Sequence, residues 1–169
     1  HGWWASAGVA ATISITAVLV LAARPTHTTK LLASTLQGLR APDEPVYMLG
    51  NFYFDLPLYA RLGDPVAVVL DWADTSLRRS DTWRKELADA GDFAAPQAQQ
   101  AMLLPPRLAN ALCQHAVSWV VGPTETSPQD FPLLRNARAM ATVRDTTLWR
   151  VERASLAAPT ACAEIPNAG

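Results

Sequence analysis

The sequence predicts an α/β fold: a mainly parallel sheet flanked by helices, with a C-terminal antiparallel hairpin and a preceding apolar N-terminal helix. Three observations carry this prediction. Short apolar, β-branched runs alternate with helix-length segments through most of the chain, the rhythm of a parallel sheet with covering helices. Two further strand-like runs, ARAMATVRD and TTLWRVER, then follow one another around Arg144-Asp145, as the arms of a hairpin do. Residues 1–23 contain no Asp, Glu, Lys or Arg, and the first fixed charge is Arg24.

That uncharged run is long enough to cross a bilayer core of about 30 Å as a helix. Trp3 and Trp4 stand at one end, where an aromatic belt would lie, and Arg24 closes the other. Gly8, Thr12 and Thr16 recur every fourth residue, a spacing that suits close helix packing in a membrane bundle. Residues 1–24 are therefore read as the last transmembrane segment of a larger protein. The competing readings are a core element of a soluble fold, for which ITAVLVLAA is apolar enough, and a targeting segment, against which no basic region precedes the run.

Residues 25–155 are expected to form one soluble domain and 156–169 an Ala/Pro-rich tail. Thr26 or Thr28 can cap a helix over LLASTLQGL, with Leu31, Leu32, Leu36 and Leu39 on one side. VYMLG reads as a strand. Asp55 can cap a short helix over LPLYARL, with Pro57 in its first turn, where a missing N–H costs nothing. PVAVVLD, bounded by Pro and Asp, is the clearest strand, and the polar stretch DWADTSLRRSD reads as a loop. Asp81 or Thr82 can cap a helix over WRKELADAG that Gly91 would stop. Residues 92–100 read as helical or loose, Pro105-Pro106 open a helix over RLANALCQH, and SWVVG is a strand ending at Gly122-Pro123.

Composition excludes several functions. The formal net charge is −1 and no basic stripe is present, so a nucleic-acid partner is not expected. No GxGxxG or Walker spacing occurs, and no GxSxG elbow supports hydrolysis by a serine triad. The three histidines are scattered, with His115 placed as a helix cap, and no metal-ligand spacing is present. Cys113 and Cys162 suit equally one disulfide in an oxidising compartment and two inert buried thiols. No cofactor is expected in this part of the chain.

Two places could meet a ligand. The turn Asn51, Phe52, Tyr53, Phe54, together with Tyr59, is rich in aromatic and polar groups; either Phe52, Phe54 and Tyr59 pack the core or the cluster forms an amphipathic rim for lipid headgroups or a glycan. Asp71, Asp74 and the segment Trp83-Arg84-Lys85 follow the best strand, where ligands bind in open α/β sheets; the plainer interpretation is a solvated acidic loop and helix face. If both loops share the carboxyl edge of the sheet, Asn51, Tyr53, Asp71, Asp74, Trp83, Arg84 and Lys85 would stand together, a set suited to sugar and phosphate groups. Arg84 is the sharpest candidate, because a guanidinium can grip phosphate with two parallel N–H groups.

The order of pieces Val46–Gly50, Asn51–Asp55, Leu56-Pro57-Leu58-Tyr59 and Pro65–Asp71, behind an apolar helix, resembles the tail of a bacterial polytopic glycosyltransferase. The family is that of the dolichyl-phosphate-mannose–protein mannosyltransferases and the 4-amino-4-deoxy-L-arabinose lipid A transferases. The resemblance extends through WRKELADAG, Leu103-Leu104-Pro105 and SWVVGP, over roughly residues 25–150. It implies a protein of the inner membrane that moves a sugar from a polyprenyl-phosphate donor to a lipid or protein acceptor, with residues 25–169 on the periplasmic side. Its catalytic acid would lie among N-terminal membrane helices that this chain lacks, so no catalytic residue is carried over. The domain would then be a cap over the active site and not catalytic by itself, its first partner being the remaining transmembrane part. The alternative is a non-enzymatic, membrane-tethered periplasmic binding module. A periplasmic location would also favour joining Cys113 to Cys162.

Overall fold

A computed structural model describes residues 28–126, 131–156 and Cys162. The expected transmembrane segment over residues 1–24 and most of the tail lie outside the described residues. Among the described residues no helix is long and apolar enough to cross a membrane.

The chain alternates as expected: α1 (Lys30–Leu39), β1 (Val46–Leu49), α2 (Asp55–Tyr59), β2 (Ala67–Val69), α3 (Trp83–Phe93), α4 (Ala95–Ala101), β3 (Met102–Leu103), α5 (Pro105–Cys113), β4 (Val117–Pro123), β5 (Arg138–Val143) and β6 (Thr146–Glu152). Among the described residues six strands form one mixed sheet in the order β3-β2-β1-β4-β6-β5. The first four are parallel, β6 runs antiparallel to β4, and β5 antiparallel to β6. The chain thus lays strands outward from β1 through β2 to β3, then returns through α5 to the other side of β1. The direction of winding reverses between β1 and β4, and ligands of open α/β sheets bind outside the strand ends at such a reversal.

Both faces of the sheet are covered, so β1 is buried at all four positions. Side chains alternate between the faces with period two. Val46 and Met48 join Trp119, Val121 and Leu148 under Leu32, Leu36 and Leu56 from α1 and α2. Tyr47 and Leu49 join Val120 and Val151 over Leu108 and Leu112 from α5. Trp119, the largest fully buried side chain among the described residues, donates its indole N–H to Glu44 Oε2 at 2.6 Å. On the α5 face, Cys113 and Cys162 are joined in a disulfide with Cα atoms 5.4 Å apart.

Several expectations are corrected. Gly91 does not stop its helix: α3 continues to Phe93. A Cβ at residue 91 would stand 2.6 Å from Met102 Sδ and 3.2 Å from Ala98 Cβ, so glycine serves close packing against α4 and β3 there. Asp55 does not cap its own helix; Phe54 holds the N-cap position and Asp55 is the first helical residue. Thr28 does not hold the N-cap of α1 either: Thr29 does, without a side-chain cap bond, and Thr28 stands one residue before it with its hydroxyl accepting from Lys30 N at 3.2 Å. The loop after β2 contains a 3-10 turn over Thr75–Arg78, β3 is an unforeseen strand, and residues 95–101 settle as helix. The second arm of the hairpin pairs along its whole length with β4, and β5 carries an irregularity at Met140, between the pairs Ala139–Trp149 and Ala141–Leu148.

Candidate functional site

The winding reversal places the ends of β1 and β4 side by side, and three segments rise around them. Gly50 leaves β1 with φ +66°, a left-handed turn that glycine enters without a Cβ clash. Its N–H still donates to Val69 O at 2.9 Å, which extends the β1–β2 ladder by one bond. The turn then folds back under itself: Tyr53 N donates to Met48 Sδ at 3.3 Å, and Leu56 N to Tyr53 O at 3.0 Å as α2 begins.

The start of α2 is fastened to the start of α1 by one carboxylate. Asp55 Oδ2 accepts from Thr29 N at 2.7 Å and Thr28 Oγ1 at 3.1 Å, and Oδ1 from Thr29 Oγ1 at 2.9 Å. Partial burial pushes the Asp55 carboxyl pKa up, but the hydrogen bonds from Thr29, Thr28 and its own backbone outweigh that push and leave it below the ordinary value. The third segment is the hairpin tip. Arg144, at φ +56°, and Asp145 make the two-residue turn, and Asp145 O accepts from Thr124 N at 2.6 Å just beyond β4.

These segments enclose a cleft of about 620 Å³, lined among others by Asn51, Tyr53, Asp55, Arg144, Asp145 and Thr146. Burial raises the Tyr53 hydroxyl pKa; its hydrogen bond with Thr146 opposes this and the Asp145 charge adds to it. Tyr53 therefore stays protonated at neutral pH and Asp55 stays ionised. The cleft can hold hydroxyl and amide groups, but these two groups do not form a general acid–base pair poised near neutrality. Among the described residues no group of three or more His, Cys, Asp or Glu could hold a metal ion.

The two loops singled out in the sequence do meet. Phe52 packs edge-on against Phe54 at 4.7 Å between ring centres and lies 6.4 Å from the Trp83 ring. The Arg84 guanidinium lies 5.4 Å from the centre of the Trp83 ring and donates from Nη2 to Gly50 O at 3.2 Å. Asp71 lines a second, shallower depression of about 330 Å³ with Gly50, Pro105 and Pro123, and accepts from Ala73 N at 3.2 Å. Asp74 and Lys85 are engaged locally. Asp74 caps the 3-10 turn by accepting from Ser76 N at 2.8 Å and Ser76 Oγ at 2.6 Å, bonds that lower its pKa. Lys85 pairs with Asp89 one turn along α3, and Arg78 bridges Asp89 and Asp92 at 2.6 and 2.9 Å.

The sequence did not single out Thr28, Thr29, Arg144, Asp145 or Thr146 as site residues. The turn residues at 144–145 were legible, but their position at the end of β4 follows from the pairing of Thr146 with Pro123, which no local pattern specifies.

Neither a protein-family model nor a curated protein sequence matches this chain. Two solved structures resemble it, both crystal structures of ArnT from Cupriavidus metallidurans. The one bound to undecaprenyl phosphate aligns with a TM-score of 0.51 at 17% identity, over 77% of this chain and 20% of that one. The apo form aligns with a TM-score of 0.50 at 16% identity, over 77% and 21%. The chain thus spans about a fifth of the length of those proteins, and what it shares with them is the fold.

Proposed function

We propose that residues 25–169 form an extracytoplasmic cap of a bacterial inner-membrane glycosyltransferase, which moves a sugar from a polyprenyl-phosphate donor to a lipid or protein acceptor. The observation that carries this reading is the shared fold with part of ArnT, a protein crystallised with undecaprenyl phosphate. The order of motifs from Val46 to Asp71 and the uncharged run before Arg24 support it independently. In this reading the domain shapes the site and leaves bond chemistry to the membrane part. Asn51 and Tyr53 offer hydrogen bonds to sugar hydroxyls from the cleft wall. Trp83 and Arg84 hold the aromatic turn, Arg84 through the Gly50 carbonyl, and Asp71 stands at the neighbouring depression.

The purified chain, given a polyprenyl-phosphate sugar and acceptor, is expected to show no turnover. The full-length gene product is expected to transfer sugar, and Arg84→Ala in it to weaken donor or acceptor use without unfolding the domain. Reproducible product from the chain alone overturns the cap reading, and unchanged kinetics in Arg84→Ala removes Arg84 from the site.

A further inference from the structure

We propose that Phe54, Leu58 and Tyr59, with Leu31 on the adjoining turn of α1, form a surface that rests in the headgroup region of a lipid bilayer. This rests on the membrane part of the function proposed above. These four side chains are 65, 75, 44 and 59% exposed, respectively; among the described residues the other exposed large apolar side chains are Leu39, at the end of α1, and Phe93, at the end of α3. Phe54 already has helical backbone angles, so it and Leu58 stand one turn apart on the same side of α2. Leu56, between them, points into the core and is fully buried, so the outward set is not simply a poorly packed helix.

The uncharged run of residues 1–23 ends at Arg24, four residues before Thr28, and Thr28 is fixed to the start of α2 through Asp55 at 3.1 Å. A chain leaving a bilayer at Arg24 has too few residues before Thr28 to carry α2 far from it, since an extended residue spans at most about 3.6 Å. The chemistry fits that position. Tyr places a ring with a polar tip at a membrane interface, and Leu and Phe insert beside it. Lys30 lies over the Tyr59 ring, 5.8 Å from its centre, and Arg61 follows α2 in a left-handed turn, giving two exposed cations for anionic headgroups.

Spin labels test this in the full chain, reconstituted in vesicles of phosphatidylethanolamine and phosphatidylglycerol with Cys113 and Cys162 left paired. Labels go at Leu58→Cys, at Phe54→Cys as an independent second position, at Ile13→Cys in the apolar run, and at Asp43→Cys at the opposite end of the sheet. The expected result is oxygen access at 13, and at 58 and 54 raised oxygen access with collision with a water-soluble nickel complex about tenfold below that at 43, as for groups held in the headgroup–acyl boundary. If 13 is in lipid while 58 and 54 meet the nickel complex as 43 does, the surface proposal is overturned and the membrane reading stands. Shielding of 58 and 54 from both reagents overturns it as well, because a protein segment or a second copy then covers the patch. Absence of lipid contact at 13 overturns the membrane reading and this proposal with it.

Discussion

On the face of the sheet covered by α1 and α2, distant segments are fastened by hydrogen bonds to carboxylates: Glu44 to the Trp119 indole, Asp55 to Thr28 and Thr29. On the opposite face, α5 is fastened by a covalent bond from Cys113 to Cys162. Both faces bury a comparable set of aliphatic side chains against the same strands. The difference lies in what can undo the long-range ties. A proton can release Asp55, whereas only a reductant or a nucleophilic thiol releases Cys113. The cleft and the exposed apolar side chains of α2 belong to the face whose ties are non-covalent.

The largest loss of stability is expected at Trp119. Trp119→Ala should cost about 3–5 kcal/mol, the range for emptying a large aromatic site in a core. Trp119→Phe keeps most of the packing and removes the bond to Glu44, and should cost about 1–2 kcal/mol. Denaturant midpoints of the two variants measure both. Equal losses would mean that packing contributes little beyond the hydrogen bond, and the α1 face would then be held mainly by its polar ties.

Reduction of the Cys113–Cys162 bond is the matching test on the other face. With a sequence separation of 49 between the cysteines, its loss should cost about 2–4 kcal/mol. Mass spectrometry with and without reductant counts the thiols, and the denaturant midpoint follows in parallel. Two free thiols after oxidative expression would remove the covalent half of the comparison.

Asp55 gives the smallest expected effect and the most specific one. Asp55→Ala should cost about 1–2 kcal/mol, the order for losing part-buried hydrogen bonds to a carboxylate. Because the folded-state pKa of Asp55 lies below its ordinary value, its contribution is present in full above about pH 4, the unfolded carboxyl value, and is lost as pH falls through the folded value. Wild type should therefore lose more stability on acidification below about pH 4 than Asp55→Asn does. Parallel acid titrations of the two chains would show the ionised carboxylate to be unimportant.

The sheet was legible where burial on two faces demands unbroken apolar runs, as at Val46–Leu49 and Ala67–Val69, and where two runs adjoin, as at β5 and β6. It was not legible at Met102–Leu103: two residues carry no period, and they are a strand only because β2 offers its edge to them. Gly91 misled for a related reason, since a glycine that ends a helix and one that admits a neighbour look alike until Met102 is placed against it. At the candidate site, the nearness of Trp83 and Arg84 to the aromatic turn followed from strand order, while Asp55 was seen only as a local cap. Its bonds reach back 26 and 27 residues, and local spacing does not encode such partners.

The two borders of the sheet have a consequence for how the chain behaves when crowded. Every open sheet ends in rows of unpaired N–H and C=O groups that another chain can extend into an aggregate. One border here is β3, whose two residues are too short to template a partner strand. The other, β5, is longer, but it begins at the exposed Arg138 and its ladder to β6 slips at Met140. A charge at one end and a slipped register in the middle deny a flat surface to an incoming strand. The irregularity in β5 thus protects solubility at the one border long enough to need it.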